Sequence, residues 1–418
     1  MGAAAEPSPR TVVVVGAGIV GLSCAWHLQS YGIQVTVLDR TGVAAGASHG
    51  NAGYVSPGLV APLADPALVR YGARALLRRG SPVRIPLAPP PDTIRFLTQF
   101  ARNATQRRWR DGMAALLPLG NHAQEAFDEL VGGGVTATLH SAPILAVFEK
   151  AGLASGLLHE VAAVVGCGQT LDIETLSGDE ARAAEPLLSD RIELGIRLLG
   201  QRFLDPAAFV QSLGAAVEQR GGRLRGGVTV RSARGGADGR VTLVADTDSV
   251  TAEAVVLASG AWLPHLAREH GVRTPMQAGR GYSFVVDTDP PPRGPIYFPA
   301  ARSAGTRLPT GLRMTGLMDL DRADDPLEPS RIEVIRSGIA SGLRGVDWNT
   351  RRDEWVGSRP LTADGLPLIG PTRTPGVYVA GGHGMWGLTL GPITGRLLAR
   401  LIATGAAPDE LGPFDPTR

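Results

Sequence analysis

The chain has 418 residues, more than one ordinary hydrophobic core needs, so two lobes or domains are expected. With 44% hydrophobic and 19% charged residues, its composition is that of a globular protein rather than a disordered one. Because 41 Lys plus Arg nearly balance 39 Asp plus Glu, the charge argues against nucleic acid as the principal partner and favours small molecules.

The first element lies in "PRTVVVVGAGIVGLSCAWHLQS", which begins at Pro9 with an arginine before an apolar run, as an export signal or a membrane anchor also does. The run covers only Val12–Val15 before glycine interrupts it, and no uncharged apolar stretch long enough to cross a bilayer follows. Instead, Gly16, Gly18 and Gly21 have the spacing G-x-G-x-x-G between a strand pattern and a helix pattern. The stretch therefore predicts a phosphate-binding turn.

The next segment, "IQVTVLD" from Ile33, predicts a second strand that ends in Asp39 and completes a βαβ unit. Gly16 permits the tight turn, Gly18 lets the backbone approach a pyrophosphate, and Gly21 lets the helix lie close to the strand. Asp39 follows the glycines by about 20 residues, where a carboxylate accepts hydrogen bonds from a ribose hydroxyl. The motif predicts a dinucleotide site but does not separate NAD from FAD.

Later patterns predict further elements in chain order. The small and polar residues of Gly46–Gly58 stand where a simple NAD domain would begin its next helix, so a ligand is expected close to this backbone. Ser81–Asp92 is too rich in proline for a regular element, and 93–130 is helical in pattern. A helix is predicted after Asp205, followed by a meander of strands with a turn at Asp238-Gly239 that rejoins the first lobe.

The last segment, "GHGMWGLTLGPITGRLLARLI", predicts a glycine-rich loop and then a helix whose first turn holds Pro392. The start of such a helix would face an anion, and in a flavoenzyme it would stabilise the negative charge of the reduced ring. Taken alone, the segment is equally consistent with an ordinary helix cap after a turn.

These segments resemble the FAD-dependent D-amino-acid oxidase superfamily, and within it the bacterial D-amino-acid dehydrogenases. The residues that carry the resemblance are "NAGYVSPG", "EAVVLASGAWL", "RGYS", "VGSRPLTADGLPLIG" and "GGHGMWGLT". The resemblance spans Val12 to about Ile402. It implies an α/β fold in which a Rossmann-like FAD-binding domain is interleaved with an α+β substrate-binding domain built on a mixed or antiparallel sheet.

We expect the FAD-binding domain at 1–85, 150–188, 204–268 and 350–418, and the substrate-binding domain at 86–149, 189–203 and 269–349. By matching motifs, the resemblance assigns cofactor contacts to Gly16, Gly18, Ile19, Val20, Gly21, Asp39, Arg40, Ala47, Ser48, Asn51, Ala52, Gly53, Val230, Ser259, Gly260, Trp262, Gly382, His383, Gly384, Met385, Trp386, Gly387, Leu388 and Thr389. No cysteine stands near the closing loop, so noncovalent FAD is expected. The isolated Cys24 and Cys167 indicate neither a metal site nor a disulfide framework and are consistent with a reducing cytoplasm.

Four residues are candidates for the chemistry. Arg359 in "VGSRP" matches the family arginine that binds the substrate carboxylate, since a guanidinium fork fits a carboxylate; its alternative is a structural ion pair. Tyr54 and Tyr282 are candidates for a second carboxylate contact or an aromatic wall, and each is equally consistent with core or lid packing. His383 is expected to contact the flavin without acting as a base.

The resemblance implies oxidative deamination of D-amino acids, with hydride transfer from Cα to flavin N5, giving a 2-oxo acid and ammonia. The alternatives are an oxidase or dehydrogenase of glycine, sarcosine or a cyclic imino acid such as D-proline or hydroxyproline, and, remotely, a non-catalytic nucleotide-binding scaffold. The expected electron acceptor is a quinone or O₂, and the expected location is the cytoplasm.

Two basic clusters stand out in the sequence: the arginines at 70, 74 and 78, and the stretch 102–110. Their pattern favours a solvated helix face over contact with the inner face of the cell membrane.

Overall fold

The computed structural model describes residues 8–66, 69 and 80–418. In chain order, strands β1 to β21 are Thr11–Val15, Gln34–Leu38, Tyr54–Val55, Val83–Arg84, Leu139–Ser141, Ile144–Phe148, Ile173–Ser177, Leu194–Leu198, Arg202–Leu204, Arg223–Arg225, Val230–Gly235, Val241–Ala245, Ser249–Ala252, Ala254–Leu257, Met276–Thr288, Ile296–Phe298, Ser303–Leu308, Gly311–Asp319, Val346–Thr362, Leu368–Pro371 and Val377–Gly381. Helices α1 to α10 are Ile19–Ser30, Pro91–Asn103, Gln106–Asn121, Ala123–Gly132, Ser155–Val165, Gly178–Ala184, Pro206–Gln219, Leu263–Ala267, Pro329–Ile339 and Gly387–Thr404.

The first lobe is built on a six-stranded sheet in the order β10-β2-β1-β14-β21-β20. All neighbours are parallel except β20, which is antiparallel to β21. Both faces of β1 are buried: Val12 and Val14 join the core beneath α1 and α10, whereas Val13 and Val15 join the core beneath the β11–β13 meander. A sheet covered on both faces explains why β1 is a continuous apolar run rather than an alternating one.

The glycines of the first turn are required by close backbone contacts. Gly16 has a φ of +120°, and a Cβ built on it would lie 2.3 Å from the carbonyl oxygen of Ala258. A Cβ on Gly21 would lie 2.0 Å from the carbonyl oxygen of Gly16. The predicted βαβ unit is confirmed, and Gly18 is the N-cap of α1.

The second lobe is built on a nine-stranded, mainly antiparallel sheet in the order β19-β15-β18-β17-β16-β6-β8-β7, with β4 beside β18. Its long central strands β15 and β19 run antiparallel over 276–288 and 346–362. The expected fold class, a Rossmann-like domain with a second domain on a mixed or antiparallel sheet, is confirmed. Strand β7, from the expected segment 150–188, and most of β19, from the expected segment 350–418, pair in this sheet, and the domain boundaries stay a prediction.

The helical pattern of 93–130 corresponds to α2, α3 and α4. The helix predicted after Asp205 is α7. The carboxylate of Asp205 caps this helix by accepting hydrogen bonds from the N–H groups of Ala207 and Ala208.

The expectation for Pro392 was wrong. Helix α10 begins at Gly387, so Pro392 lies inside the helix rather than in its first turn. The three glycines of 387–395 allow close packing: a Cβ on Gly395 would lie 2.5 Å from the carbonyl carbon of Ser23 in α1.

Two features bear on the expected membrane contact. In the part of the chain that the structure describes, no helix has the length and apolar character that crossing a bilayer requires. Arg70, Arg74 and Arg78 lie outside the described residues, whereas the basic stretch 102–110 spans the end of α2 and the start of α3.

Candidate active site

A cavity of about 580 Å³ opens at the carboxyl ends of β1, β2 and β14 and extends to the end of β19. This edge of a parallel sheet is where open α/β folds bind ligands. Most of the predicted cofactor residues line this cavity: Gly16, Gly18, Ile19, Val20, Gly21, Asp39, Arg40, Ala47, Ser48, Asn51, Val230, Ser259, Gly260, Trp262, His383, Gly384, Met385, Gly387 and Leu388. Arg359 lines it as well. The two distant glycine-rich segments, at 16–21 and 382–387, therefore meet at one site.

The entrance to α1 is shaped for an anion. Its N-cap is Gly18, so no side chain covers the first N–H groups except at Ile19, whose N–H donates to Oγ of the buried Ser48 at 3.1 Å. Unpaired N–H groups and the helix dipole both attract a phosphate at such an end. Asp39 accepts hydrogen bonds from the N–H groups of Ala17 and Thr41 at 2.9 and 2.8 Å, which fixes its carboxylate at the cavity wall.

Two buried polar atoms in the lining fit a bound group. Ser259 Oγ and His383 Nδ1 are both buried without a hydrogen-bond partner among the described residues. The other ring nitrogen of His383 lies 2.9 Å from Thr394 Oγ1. Burial lowers the pKa of His383 to about 4, so its imidazole is neutral near pH 7. A buried polar atom without a partner is costly, and a cofactor with hydrogen-bonding edges would satisfy both.

Arg359 places a positively charged guanidinium at the cavity wall. Its Nη1 donates to the carbonyl oxygen of Leu317 at 2.9 Å, and among the described residues no carboxylate pairs with it. Burial lowers the pKa of Arg359 to about 10, which still leaves the guanidinium charged at neutral pH. The structural ion pair considered as its alternative is therefore absent from the described part of the chain. An unpaired, partly desolvated guanidinium is suited to an anionic ligand.

A loop from the second lobe, which we call the strap (residues 320–328), crosses the other end of the cavity. Asp324 accepts hydrogen bonds from Arg40 Nη1 and Trp262 Nε1, each at 2.9 Å, and the Arg40 guanidinium stacks 3.7 Å from the Trp262 ring centroid. Burial tends to raise the pKa of Asp324, but the hydrogen bonds from Trp262 and Arg40 outweigh it and lower the pKa. The strap is anchored to the large sheet by Ser358, whose Oγ donates to the carbonyl oxygen of Ala323 at 2.9 Å.

Seven predicted residues do not line the cavity: Ala52, Gly53, Tyr54, Tyr282, Gly382, Trp386 and Thr389. Several of them hold the loops that do. Trp386 Nε1 donates to the carbonyl oxygen of Ala61 at 2.7 Å, and Thr389 Oγ1 to that of Tyr54 at 3.3 Å. The Tyr54 hydroxyl contacts the carbonyl oxygens of Ile296 and Gly305 at 2.8 and 3.1 Å. Burial raises the pKa of Tyr54, so this hydroxyl stays protonated and tied to the backbone of the large sheet.

Tyr282 is fully buried in the core between the large sheet and α9. Side chains alternate along a strand, so its ring lies on the face opposite to that of Gly281 and Ser283. Burial raises the pKa of Tyr282 to about 12. Its position favours the packing alternative and separates Tyr282 from Arg359.

Sequence reasoning missed several lining residues. One of them, Thr41, adjoins the predicted Arg40 just after β2 and follows from that position alone. Asp324 is different, since it lies 284 residues from its partner Arg40 and belongs to a loop of the other lobe. No local pattern marks it.

A dinucleotide cradle that opens toward an unpaired arginine defines a nucleotide-dependent enzyme. The chain belongs to the FAD dependent oxidoreductase (DAO) family, whose model matches residues 11–401. It is 31% identical to the D-amino acid dehydrogenase of Cereibacter sphaeroides over 95% of this chain and 92% of that protein. It is also 31% identical to the D-amino acid dehydrogenase of Xanthobacter autotrophicus, over 95% of this chain and 96% of that protein.

In fold, the chain is similar to glycine oxidase from Bacillus cereus ATCC 14579, with a TM-score of 0.74 and 19% identity over 98% of this chain and 99% of that one. It is also similar to iminodiacetate oxidase from Chelativorans sp. BNC1, with a TM-score of 0.70 and 21% identity over 97% and 98%. The protein is thus an FAD-dependent amino-acid oxidoreductase, and the scaffold alternative is set aside.

Proposed function

We propose that the protein oxidises D-amino acids at Cα, and that water then converts the imine product to a 2-oxo acid and ammonia. The observation that carries the proposal is the unpaired Arg359 guanidinium in the FAD cavity. Its fork would hold the substrate carboxylate bidentately and so fix the orientation of the Cα–H bond. The preference for D-amino acids rests on the two dehydrogenases that are 31% identical to this chain.

FAD, when bound, supplies the hydride acceptor. The protein's own residues supply position and environment. The first turn of α1 would hold the pyrophosphate, Asp39 the ribose, and the closing loop at 382–388 the ring. His383, whose pKa is lowered by burial to about 4, would contact the ring as a neutral imidazole that accepts a proton only weakly near neutral pH. We propose noncovalent attachment; yellow colour that leaves the protein on acid precipitation would support it, and colour that stays in the pellet would contradict it.

The decisive experiment mixes the yellow holoenzyme with a panel of D-amino acids, glycine, sarcosine and D-proline without oxygen. Bleaching of the flavin by primary D-amino acids supports the proposal, whereas bleaching only by glycine, sarcosine or cyclic imino acids favours the second enzyme class. Re-oxidation by air or by a quinone dye then identifies the electron acceptor as O₂ or a quinone.

The role of Arg359 has its own test. Arg359→Ala should raise KM for the substrate about 10- to 100-fold, because a hydrogen-bonded pair of charges is lost. FAD absorbance should be unchanged. The control is Arg352→Ala on the same strand, which removes an ion pair with Asp287 away from the cavity and should leave KM unaltered. A KM that Arg359→Ala does not change would remove the assignment.

Contact with a membrane surface remains a prediction. In support, Arg107 at the start of α3 is highly exposed, and its only ion-pair partner among the described residues is Asp111, at 3.9 Å. Flotation of the protein with anionic vesicles tests it, and a protein that stays at the bottom of the gradient would exclude it.

A further inference from the structure

Three glycines on β15 and β19 make room for three bulky side chains, one of which is the cavity-lining Arg359. A Cβ built on Gly281 would lie 2.3 Å from Nη1 of Arg359. A Cβ on Gly357 would lie 1.6 Å from Cη2 of Trp355, and one on Gly279 would lie 2.3 Å from Sδ of Met318. Atoms of the guanidinium, the indole and the thioether therefore occupy the space that three missing side chains leave free.

The guanidinium and the indole are neighbours. Gly281 and Gly357 are directly paired in the antiparallel ladder of β15 and β19. The Cα atoms of such a pair are about 4.5–5.5 Å apart, and their side chains would share one face. Since the Arg359 guanidinium covers Gly281 and the Trp355 benzo ring covers Gly357, the ring edge stands beside the proposed carboxylate site.

We propose that Trp355 sets the upper size limit for the substituent on the substrate Cα, so that small apolar side chains are preferred. The inference rests on the proposed function, because it places the substrate carboxylate on Arg359. The indole atoms nearest Gly357 are the carbons Cη2, Cζ2 and Cζ3, which offer no acceptor to an amine. An apolar substituent, rather than the amino group, fits against this edge.

The Trp355 indole, which forms the wall of the proposed pocket, is also held at its other end. A Cβ on Gly50 would lie 2.1 Å from Cε3 of Trp355, so the indole is clamped between the large sheet and the loop that lines the FAD cavity. The same Cβ would lie 2.6 Å from Ser283 Oγ, which is buried beneath. On the far side of the guanidinium, Met318 Sδ lies 4.0 Å from Arg359 Nη1. A large substituent cannot push either neighbour aside without moving the sheet or the loop.

The test measures kcat/KM of the holoenzyme for D-alanine, D-leucine and D-phenylalanine. The wild-type protein should prefer D-alanine to D-phenylalanine by at least about 10-fold. Trp355→Phe removes the benzo carbons that cover Gly357, and Trp355→Ala removes the wall. Each should raise the ratio of kcat/KM for D-phenylalanine over that for D-alanine by about 10-fold or more. The control is Trp348→Phe on the same strand, which belongs to the core on the other face.

The outcomes separate the two proposals. If no D-amino acid bleaches the wild-type flavin, the proposed function fails. If D-amino acids react but the wild-type protein favours D-phenylalanine, the size limit is overturned. The same holds if Trp355→Phe retains FAD and leaves the ratio within about twofold of wild type. If Trp355→Ala loses FAD, the kcat/KM ratios of the wild-type protein and of Trp355→Phe still test the size limit.

Discussion

Gly281 shows how a single missing Cβ shapes this site. It lies in the "RGYS" segment of β15, and Arg359 reaches over it to donate to the carbonyl oxygen of Leu317. The conflict that a side chain would create here is with the end of a flexible arginine rather than with backbone. A small substitution should therefore disturb the arginine more than the fold.

Gly281→Ala should raise KM about 10-fold or more while FAD content and the melting temperature stay close to wild type, because a Cβ there displaces the guanidinium. Steady-state kinetics and thermal unfolding measure the two effects. Gly294→Ala is the control, since its Cβ would meet nothing nearer than 4.0 Å. An unchanged KM would mean that the observed position of Arg359 is not the one that binds substrate.

At the scale of elements, the strap joins the second lobe to the cofactor cavity. Arg40 follows β2 of the first lobe, Trp262 precedes α8, and Asp324 comes from the loop between β18 and α9. The three side chains close one end of the cavity by one ion pair, one hydrogen bond and one stacking contact. Because the Asp324 side chain is 65% exposed, its ion pair with Arg40 and its hydrogen bond from Trp262 are individually weak, and the ion pair is screened by salt.

Asp324→Ala should speed FAD release about three- to tenfold at low salt, since two contacts that hold Arg40 and Trp262 over the cavity are lost. The fluorescence of released flavin after dilution measures the rate. High salt should narrow the difference from wild type. The matched control is the exposed Asp409→Ala, far from the cavity, and equal release rates for all three proteins would show that the strap does not retain FAD.

At the scale of the whole molecule, the first lobe buries two histidine side chains, which makes the stability of the protein depend on pH. His27 in α1 is buried, and burial, followed by the charges of Arg396 and Arg220, lowers its pKa to about 3. Burial alone lowers that of His383 to about 4. In the unfolded chain both imidazoles titrate near 6.5, so between that pH and about 4 the unfolded state binds more protons. The contribution of these two neutral imidazoles to the free energy of unfolding is therefore fully present above about pH 6.5 and is lost as the pH drops below it.

Urea unfolding at pH 7.5 and pH 5 should show this loss, with a slope of up to about 1.4 kcal/mol per pH unit from each imidazole. The free energy of unfolding differs between the two pH values, and His27→Gln should reduce that difference by about 2 kcal/mol. His159→Gln, at an exposed position, is the control. If His27→Gln has the same pH dependence as wild type, the buried imidazole does not set the acid limit.

The sequence by itself predicted the first βαβ unit and the meander at 230–252, because an apolar run, three spaced glycines and an acidic strand end act over one turn or one strand. The class of fold and the FAD-dependent chemistry came from the resemblance of its motifs to a known family. The candidacy of Arg359 also came from its motif, "VGSRP".

Only the tertiary structure decided which side chains meet across the site. It placed Tyr282 and Arg359 on opposite faces of the large sheet, moved the start of α10 ahead of Pro392, brought Asp324 to the cavity and packed Trp355 against Gly357 and Gly50. The reason is physical. Strand register and the packing of one lobe on the other bring together residues far apart in the chain, and no periodicity within a segment encodes those distances.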